Sequence, residues 1–265
     1  MSPDHVALVH GGTRRTYRDL AERTAQLASA WRALGVRRGD RVVWRGPNHP
    51  AFLESLFASA SLGAALAPVS HLLADHVAED LVSRYQPALV VEHAVTPIRV
   101  PDGGPTRVRV DGTGDGLAFE DVLRAGSPDG VDVATTPDEL CLMPHTSGTT
   151  GRPRGVMLSH RNVTANVINV LSVADVRHDD VTVAIAPFFR AGGTGVNVLP
   201  VLFRGGTVVV PDRPGPDELL ALLARERVTI GFGNPDLLDA LTRSSRWSDA
   251  DLTSVRWFAT GGGPP

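Results

Sequence analysis

The chain has 265 residues, 42% of them hydrophobic and 21% charged, with a formal net charge of −3. Such figures describe a globular protein large enough for two lobes, and the near-neutral balance excludes the broad basic surface that nucleic acid requires. All 26 basic residues are arginine, so lysine Schiff bases, lysine general bases and lysine phosphate clamps are excluded, while arginine keeps its charge and can only bind and stabilise anions.

The single cysteine, Cys141, cannot form an internal disulfide and reads as a buried small hydrophobe in a reducing compartment. The opening residues, MSPDHVALVHGG, lack the basic start and apolar middle of a signal peptide, and a cytoplasmic protein is expected. The most apolar stretch, AFLESLFASASLGAALAPV, carries Glu54 and is broken by Gly63 and Pro68; it predicts a buried helix followed by a strand, with no membrane span.

In chain order, Thr16 and Asp19 stand in capping-box spacing ahead of a helix. Its Leu20, Leu27, Trp31 and Leu34 share one face, and Gly35 is its stop. A strand at RVVWRG follows, then a helix near 51–62, a short strand before Pro68, a helix near 74–85 and the strand ALVVEH. Residues 96–137 are rich in Pro, Gly and Asp and predict one strand, RVRV, and one short helix, AFEDVLRAG. After the apolar run ELCLMP come a helix from Ser159, strands VTVAIAP and GTVVVP, the helix PDELLALLARER and the strand VTIGF. A helix started by Asn234 and Pro235 and a last strand, VRWFAT, complete the series. Apolar strands separated by amphipathic helices predict an α/β protein with mainly parallel sheets. Two lobes are expected, one over 48–175 and one over 1–47 plus 176–265.

HTSGTTGRPRG, residues 145–155, packs three glycines, four hydroxyls and two arginines into eleven positions directly after ELCLMP. Ligands of such folds sit at the carboxyl ends of strands. Glycines let several N–H groups point at one anion, and hydroxyls and guanidinium groups add donors, which together describe a phosphate cradle. A solvated connecting loop has the same composition. A Walker loop is excluded by Pro153 and the absent lysine, and a nucleophile elbow by the lack of glycines flanking Ser147, so His145 beside Ser147 is poor support for a hydrolase.

HTSGTTGRPRGVMLSHRN resembles the signature of the AMP-forming adenylate-forming superfamily, which includes acyl-CoA synthetases, 4-coumarate–CoA ligases, adenylation domains and luciferases. TYRDLAERTAQLASAWRALGVRRGDRVVWRGPNHPAF resembles its opening helix and strand, APFFRAGG its substrate-pocket segment, and GFGNPDLLDAL with LTSVRWFATGGGPP the approach to its adenine site. The resemblance implies that ATP and a small carboxylic acid give an acyl-adenylate and pyrophosphate, with transfer to coenzyme A or a carrier-protein thiol. By position it assigns the β- and γ-phosphates to Thr146, Ser147, Gly148, Thr149, Thr150 and Gly151, with Arg154 in place of the usual lysine. It assigns adenine to Gly261, Gly262, Gly263 and Pro264, and the substrate pocket to Phe189, Arg190 and Gly193, where Arg190 replaces the usual histidine. A permanent cation at 190 could pair with the carboxylate under activation or with a second acidic group, or swing to solvent.

The same resemblance places a magnesium-holding glutamate, a ribose-binding aspartate and a catalytic lysine of a mobile C-terminal domain beyond Pro265, so no catalytic residue and no metal ligand is assigned here. The expectation is the incomplete N-terminal region of an acyl/aryl-CoA ligase without its C-terminal domain, needing that portion or a partner chain for turnover. The alternative is a naturally shortened nucleotide- or acyl-binding module. Two other motifs carry less. DGTGDGLAFEDV starts like a calcium loop but has Val122 at the obligatory acidic position. Arg177–Asp180, RHDD, reads as a solvated turn, since adjacent loop residues rarely converge on one metal.

Overall fold

The computed structural model describes residues 2–101, 103–112, 114–131, 133–146 and 152–261. The chain begins β1 (Val6–His10), β2 (Thr13–Thr16), α1 (Tyr17–Ala33), β3 (Arg41–Arg45), α2 (Pro50–Ser61), β4 (Ala65–Val69), α3 (Asp75–Tyr85) and β5 (Leu89–His93). It continues β6 (Thr106–Val110), β7 (Leu117–Ala118), α4 (Phe119–Ala125), β8 (Leu140–Leu142), β9 (His145–Thr146), β10 (Arg154–Gly155), β11 (Leu158–Ser159) and α5 (His160–Val173). It closes β12 (Val181–Val183), α6 (Ala191–Gly195), α7 (Val198–Arg204), β13 (Thr207–Val209), α8 (Pro216–Arg225), β14 (Ile230–Gly233), α9 (Pro235–Thr242) and β15 (Trp257–Thr260).

Two compact units result. One comprises Met1–Arg18, Asn48–Pro50 and Asn166–Pro265; the other comprises Asp19–Pro47 and Ala51–Ala165. The second departs from the expected 48–175 by losing 48–50 and 166–175 and by gaining 19–47, the last because β3 is a central strand of its sheet, pairing Val42 with Leu66 on one side and with Leu89 on the other. Of the first 47 residues only the segment carrying β1 and β2 lies in the other unit, where β1 pairs in parallel with β13.

In the second unit a seven-stranded sheet runs β11-β8-β4-β3-β5-β6-β7, parallel except for the antiparallel β11–β8 pair. Its central strands β3, β4 and β5 are buried along nearly their whole length because both faces are covered. Val43, Ala67, Val69 and Val90 pack with Ala78, Leu81, Val82 and Tyr85 of α3 and with Met143. The apolar stretch 51–69 is a helix followed by a strand, as expected, and its Glu54 is fully buried and held by Arg23 at 2.7 and 3.1 Å. Arg23 also meets Glu120 at 2.6 Å. α1 buries Leu20, Leu27 and Trp31 and ends where Gly35 takes φ +101°, a conformation that costs a side-chain-bearing residue.

In the first unit the sheet order is β15-β14-β12-β13-β1-β2, parallel except for the β1–β2 hairpin. Its core joins Val9, Val183 and Val209 to Leu219, Leu220, Leu222 and Leu223 of α8. α8 starts with Pro216, and the Gly215 N–H donates to the Glu218 carboxylate at 3.0 Å; α9 starts as predicted, with the Leu237 N–H donating to Asn234 Oδ1 at 3.1 Å. The expected solvated turn at 177–180 is a turn whose last carboxylate is buried. Asp180, 2% exposed, accepts from Arg256 at 2.6 and 2.7 Å, from Thr229 Oγ1 at 2.6 Å and from the Arg177 N–H at 2.7 Å. No described helix is long and apolar enough to cross a membrane.

Candidate functional site

The strip at 145–155 leaves the carboxyl end of β8, which lies beside β4 through the Leu66–Leu142 pair. Its two ends form a hairpin in which Thr146 faces Arg154 and His145 faces Gly155. Opposed residues of an antiparallel pair share one face, and successive residues alternate. The hairpin therefore has an inner face, His145 with Gly155, and an outer face, Thr146 with Arg154.

The inner face is anchored. His145 Nε2 accepts from the Ser70 N–H at 3.0 Å, which requires that nitrogen to be unprotonated. A Cβ added at Gly155 would lie 2.9 Å from Tyr85 Oη and 3.2 Å from Met143 Cγ, so only glycine fits there without displacement. Two backbone bonds extend the anchorage, Val156 N–H to Pro144 O at 2.7 Å and Met143 N–H to Leu66 O at 2.8 Å. Arg84 donates to the Pro153 carbonyl at 3.1 Å.

The outer face is exposed at Thr146 and Arg154, as is Arg152, and neither guanidinium has an acidic partner among the described residues. Three potential donors thus stand outward on a fixed base. Ser147, Gly148, Thr149, Thr150 and Gly151 lie outside the described residues, as do Gly262, Gly263 and Pro264.

In the other unit, the substrate-pocket segment follows β12. Asn48 holds it: Asn48 Nδ2 donates to the carbonyls of Ala184 at 2.8 Å and Ala186 at 2.9 Å, while Asn48 Oδ1 accepts from the Phe188 N–H at 2.8 Å. Phe188 and Phe189 are buried, and the exposed Arg190 lies over the Phe189 ring, 5.9 Å from its centroid. Gly193 closes the turn, its N–H donating to the Arg190 carbonyl at 2.9 Å; a Cβ there would sit 2.0 Å from the Pro187 oxygen. Phe232, at the end of β14, links two predicted segments. Cβ positions built on Gly192 and Gly261 would fall 3.7 and 3.4 Å from its ring. Phe189, Arg190, Gly193 and Gly261 thus lie in one unit, and two residues that the sequence reading did not assign touch their chain neighbourhood: Asn48 holds Ala184–Phe188, and Phe232 lies beside Gly192 and Gly261.

Three other features drop out as reactive centres. Burial pushes the Cys141 thiol up to about 11, too weak an acid to supply thiolate at neutral pH. The calcium-like loop is filled by Arg109, whose guanidinium donates to the carbonyls of Gly112 at 3.3 Å, Asp115 at 3.0 Å and Gly116 at 3.3 Å, and to that of Gly114. No three His, Cys, Asp or Glu side chains come together to hold a metal among the described residues.

The chain spans about half the length of the curated relatives it matches. It is 40% identical to a feruloyl-CoA synthase from Amycolatopsis sp over 273 residues, covering 100% of this chain and 52% of the relative. It is 32% identical to an indoleacetate–CoA ligase from Aromatoleum aromaticum, covering 98% and 52%. Among solved structures, the inhibitor-bound N-terminal domain of FACL13 from Mycobacterium tuberculosis superposes with a TM-score of 0.90 at 27% identity, covering 99% of this chain and 67% of that one. The family described as AMP-binding enzyme matches residues 1–265, with the parallel α/β sheets and the strand-end hairpin in the places just described; the chain belongs to that family.

Proposed function

We propose that the protein carrying this chain is an AMP-forming ligase that activates an aromatic carboxylic acid and passes it to the thiol of coenzyme A. A carboxylate oxygen attacks the α-phosphorus of ATP as the bond to pyrophosphate breaks; thiol sulfur then attacks the acyl carbon and AMP leaves. The observation that carries this reading is the hairpin with an anchored inner face and an outer face of Thr146 and Arg154, without acidic partners among the described residues, at the carboxyl end of a parallel strand.

Thr146, Ser147, Gly148, Thr149, Thr150, Gly151 and Arg154 are assigned to the β- and γ-phosphates. Their amides and hydroxyls spread charge over several donors, and charge-assisted bonds of about 1.5–3 kcal/mol each make such a set sufficient for a polyphosphate. Gly261, Gly262, Gly263 and Pro264 are assigned to adenine, where backbone must approach a flat base. Phe189, Arg190 and Gly193 are assigned to the acid, with the Arg190 guanidinium pairing with its carboxylate. The aromatic class is supported by the relatives' names, feruloyl and indoleacetate, and by the Phe232 ring beside Gly192 and Gly261. Magnesium finds no ligand set among the described residues, and no step is assigned to it.

The test is acid-dependent exchange of labelled pyrophosphate into ATP by the intact protein, with aromatic acids compared against short aliphatic ones. Exchange supported by aromatic acids is expected. Exchange with neither class would refute the ligase reading, and preference for aliphatic acids would refute the substrate class.

A further inference from the structure

The return leg of the hairpin, Pro153–Gly155, which pairs with β9, also meets the carboxyl end of α3. Pro153 has no N–H, so its carbonyl is its only backbone polar group, and that carbonyl accepts from Arg84 Nη2 at 3.1 Å. Pro153 is buried between two exposed arginines, Arg152 and Arg154. Two residues on, Gly155 rests on Tyr85, whose buried hydroxyl has no hydrogen-bond partner among the described residues. Consecutive residues of one helix therefore hold the leg from the side and from below.

The end of α3 is itself fixed. Arg41 of β3 donates to the carbonyls of Tyr85 at 2.8 Å and Gln86 at 3.0 Å, and Gln86 takes φ +44° to end the helix. Asp80, one turn earlier, sets the Arg84 guanidinium through a 3.1 Å bond to Nε. A continuous set of contacts thus runs from a central strand through α3 to Pro153.

We propose that Arg84 is a positioning residue for the phosphate site: by bonding Pro153 it sets where Arg152 and Arg154 present their charges. It acts through the return leg and touches no ligand itself. This rests on the reading of residues 145–155 as the phosphate cradle. The arrangement is not visible in the sequence, because residues 84 and 153 are far apart and Arg84 belongs to none of the motifs above.

The experiment uses the intact protein in the acid-dependent exchange assay, with Arg84→Met, Arg84→Lys and Arg154→Ala. Loss of one charge-assisted bond predicts that Arg84→Met raises the KM for ATP about tenfold while the KM for the acid is unchanged. Arg84→Lys, which can still donate to the carbonyl, recovers most of the loss. Arg84 is half-exposed and its pair with Asp80 is at the surface, so only the bond to the Pro153 carbonyl counts, and the melting temperature of Arg84→Met falls by about 3–6 °C, short of unfolding. An unchanged KM for ATP in Arg84→Met, a parallel rise in both KM values, or no recovery with lysine overturns the proposal. Arg154→Ala keeps the two ideas apart. If it weakens ATP while Arg84→Met does not, the positioning role alone fails; if Arg154→Ala is also silent, the phosphate cradle fails with it.

Discussion

Asn48 offers the sharpest test of how the substrate segment is built. Its side chain makes three bonds, of 2.8, 2.9 and 2.8 Å, to backbone groups of Ala184, Ala186 and Phe188. β12 ends at Val183, so these groups have left the ladder, and Asn48 takes the place of a neighbouring strand for them. Asn48→Ala removes all three partners at once. At about 1 kcal/mol of net stability per bond, the loss is about 3 kcal/mol. At roughly 2–4 °C per kcal/mol for a protein of this size, melting falls by about 6–12 °C. Asn48→Asp separates the bonds: it keeps an acceptor for the Phe188 N–H but sets a carboxylate against two carbonyl oxygens. It is therefore expected to be at least as damaging at neutral pH and to recover in acid, when the protonated group can donate one bond. Thermal melts of both variants at pH 5 and pH 7.5, with the KM for the acid measured alongside, read out these effects. An Asn48→Ala protein melting within about 1 °C of the parent, with the same KM, would refute the reasoning.

Three further outcomes are expected. Gly193→Ala drives a Cβ to 2.0 Å from the Pro187 oxygen, so the turn carrying Arg190 must shift; acid-dependent exchange should be lost while ATP binding, measured by calorimetry, survives. Arg190→Ala removes the cation assigned to the carboxylate and should raise the KM for every acid in a panel, with Arg190→His restoring part of it at mildly acidic pH; an unchanged profile and rate in both variants removes Arg190 from the site. Arg38, by hydrogen bonds at 2.6 and 2.9 Å, holds the Glu139 carboxyl down at about 2, below the unfolded value near 4.3. The contribution of that pair is therefore present above the unfolded value and is lost as pH falls through about 2; Glu139→Gln should flatten the acid limb of the melting curve between pH 5 and pH 2.5, and an identical limb would contradict this.

Much of the fold was legible because the strands are short apolar runs and the helices carry their own starts and stops. Asn234–Pro235 and the Gly35 stop are examples. The β1–β2 hairpin escaped although its turn is written as Gly11–Gly12, both at positive φ, because Arg14 and Arg15 break the apolar alternation of β2. The lobe division failed at 19–47 because strand order in a parallel sheet is not a local property. β3 belongs with β4 and β5 by register, which no periodicity within 41–45 reveals. VTVAIAP predicts one strand, yet β12 closes at Val183, with the Ala184 N–H making the last bond to the neighbouring strand, at Val209. The remainder is set by a distant asparagine.

The candidate site divided in the same way. The strip at 145–155 announced itself by composition, and its alternation of inner and outer faces follows once Thr146 is opposed to Arg154. His145 beside Ser147 is a weak hydrolase signal in the sequence, and in the fold its ring holds the hairpin through the Ser70 N–H. Phe232 lay within a stretch noted for its resemblance, but its contact range with both Gly192 and Gly261 depends on the chain returning to one sheet at β12, β14 and β15.

The central claim, that residues 145–155 wrap the phosphates of a nucleoside triphosphate, is tested most directly by calorimetric titration of ATP into the intact protein and into Arg154→Ala. Saturable binding to the parent is expected, with binding about tenfold weaker or more to the variant, the loss of one charge-assisted contact. Absence of binding to the parent, or equal affinity in the two proteins, would contradict it.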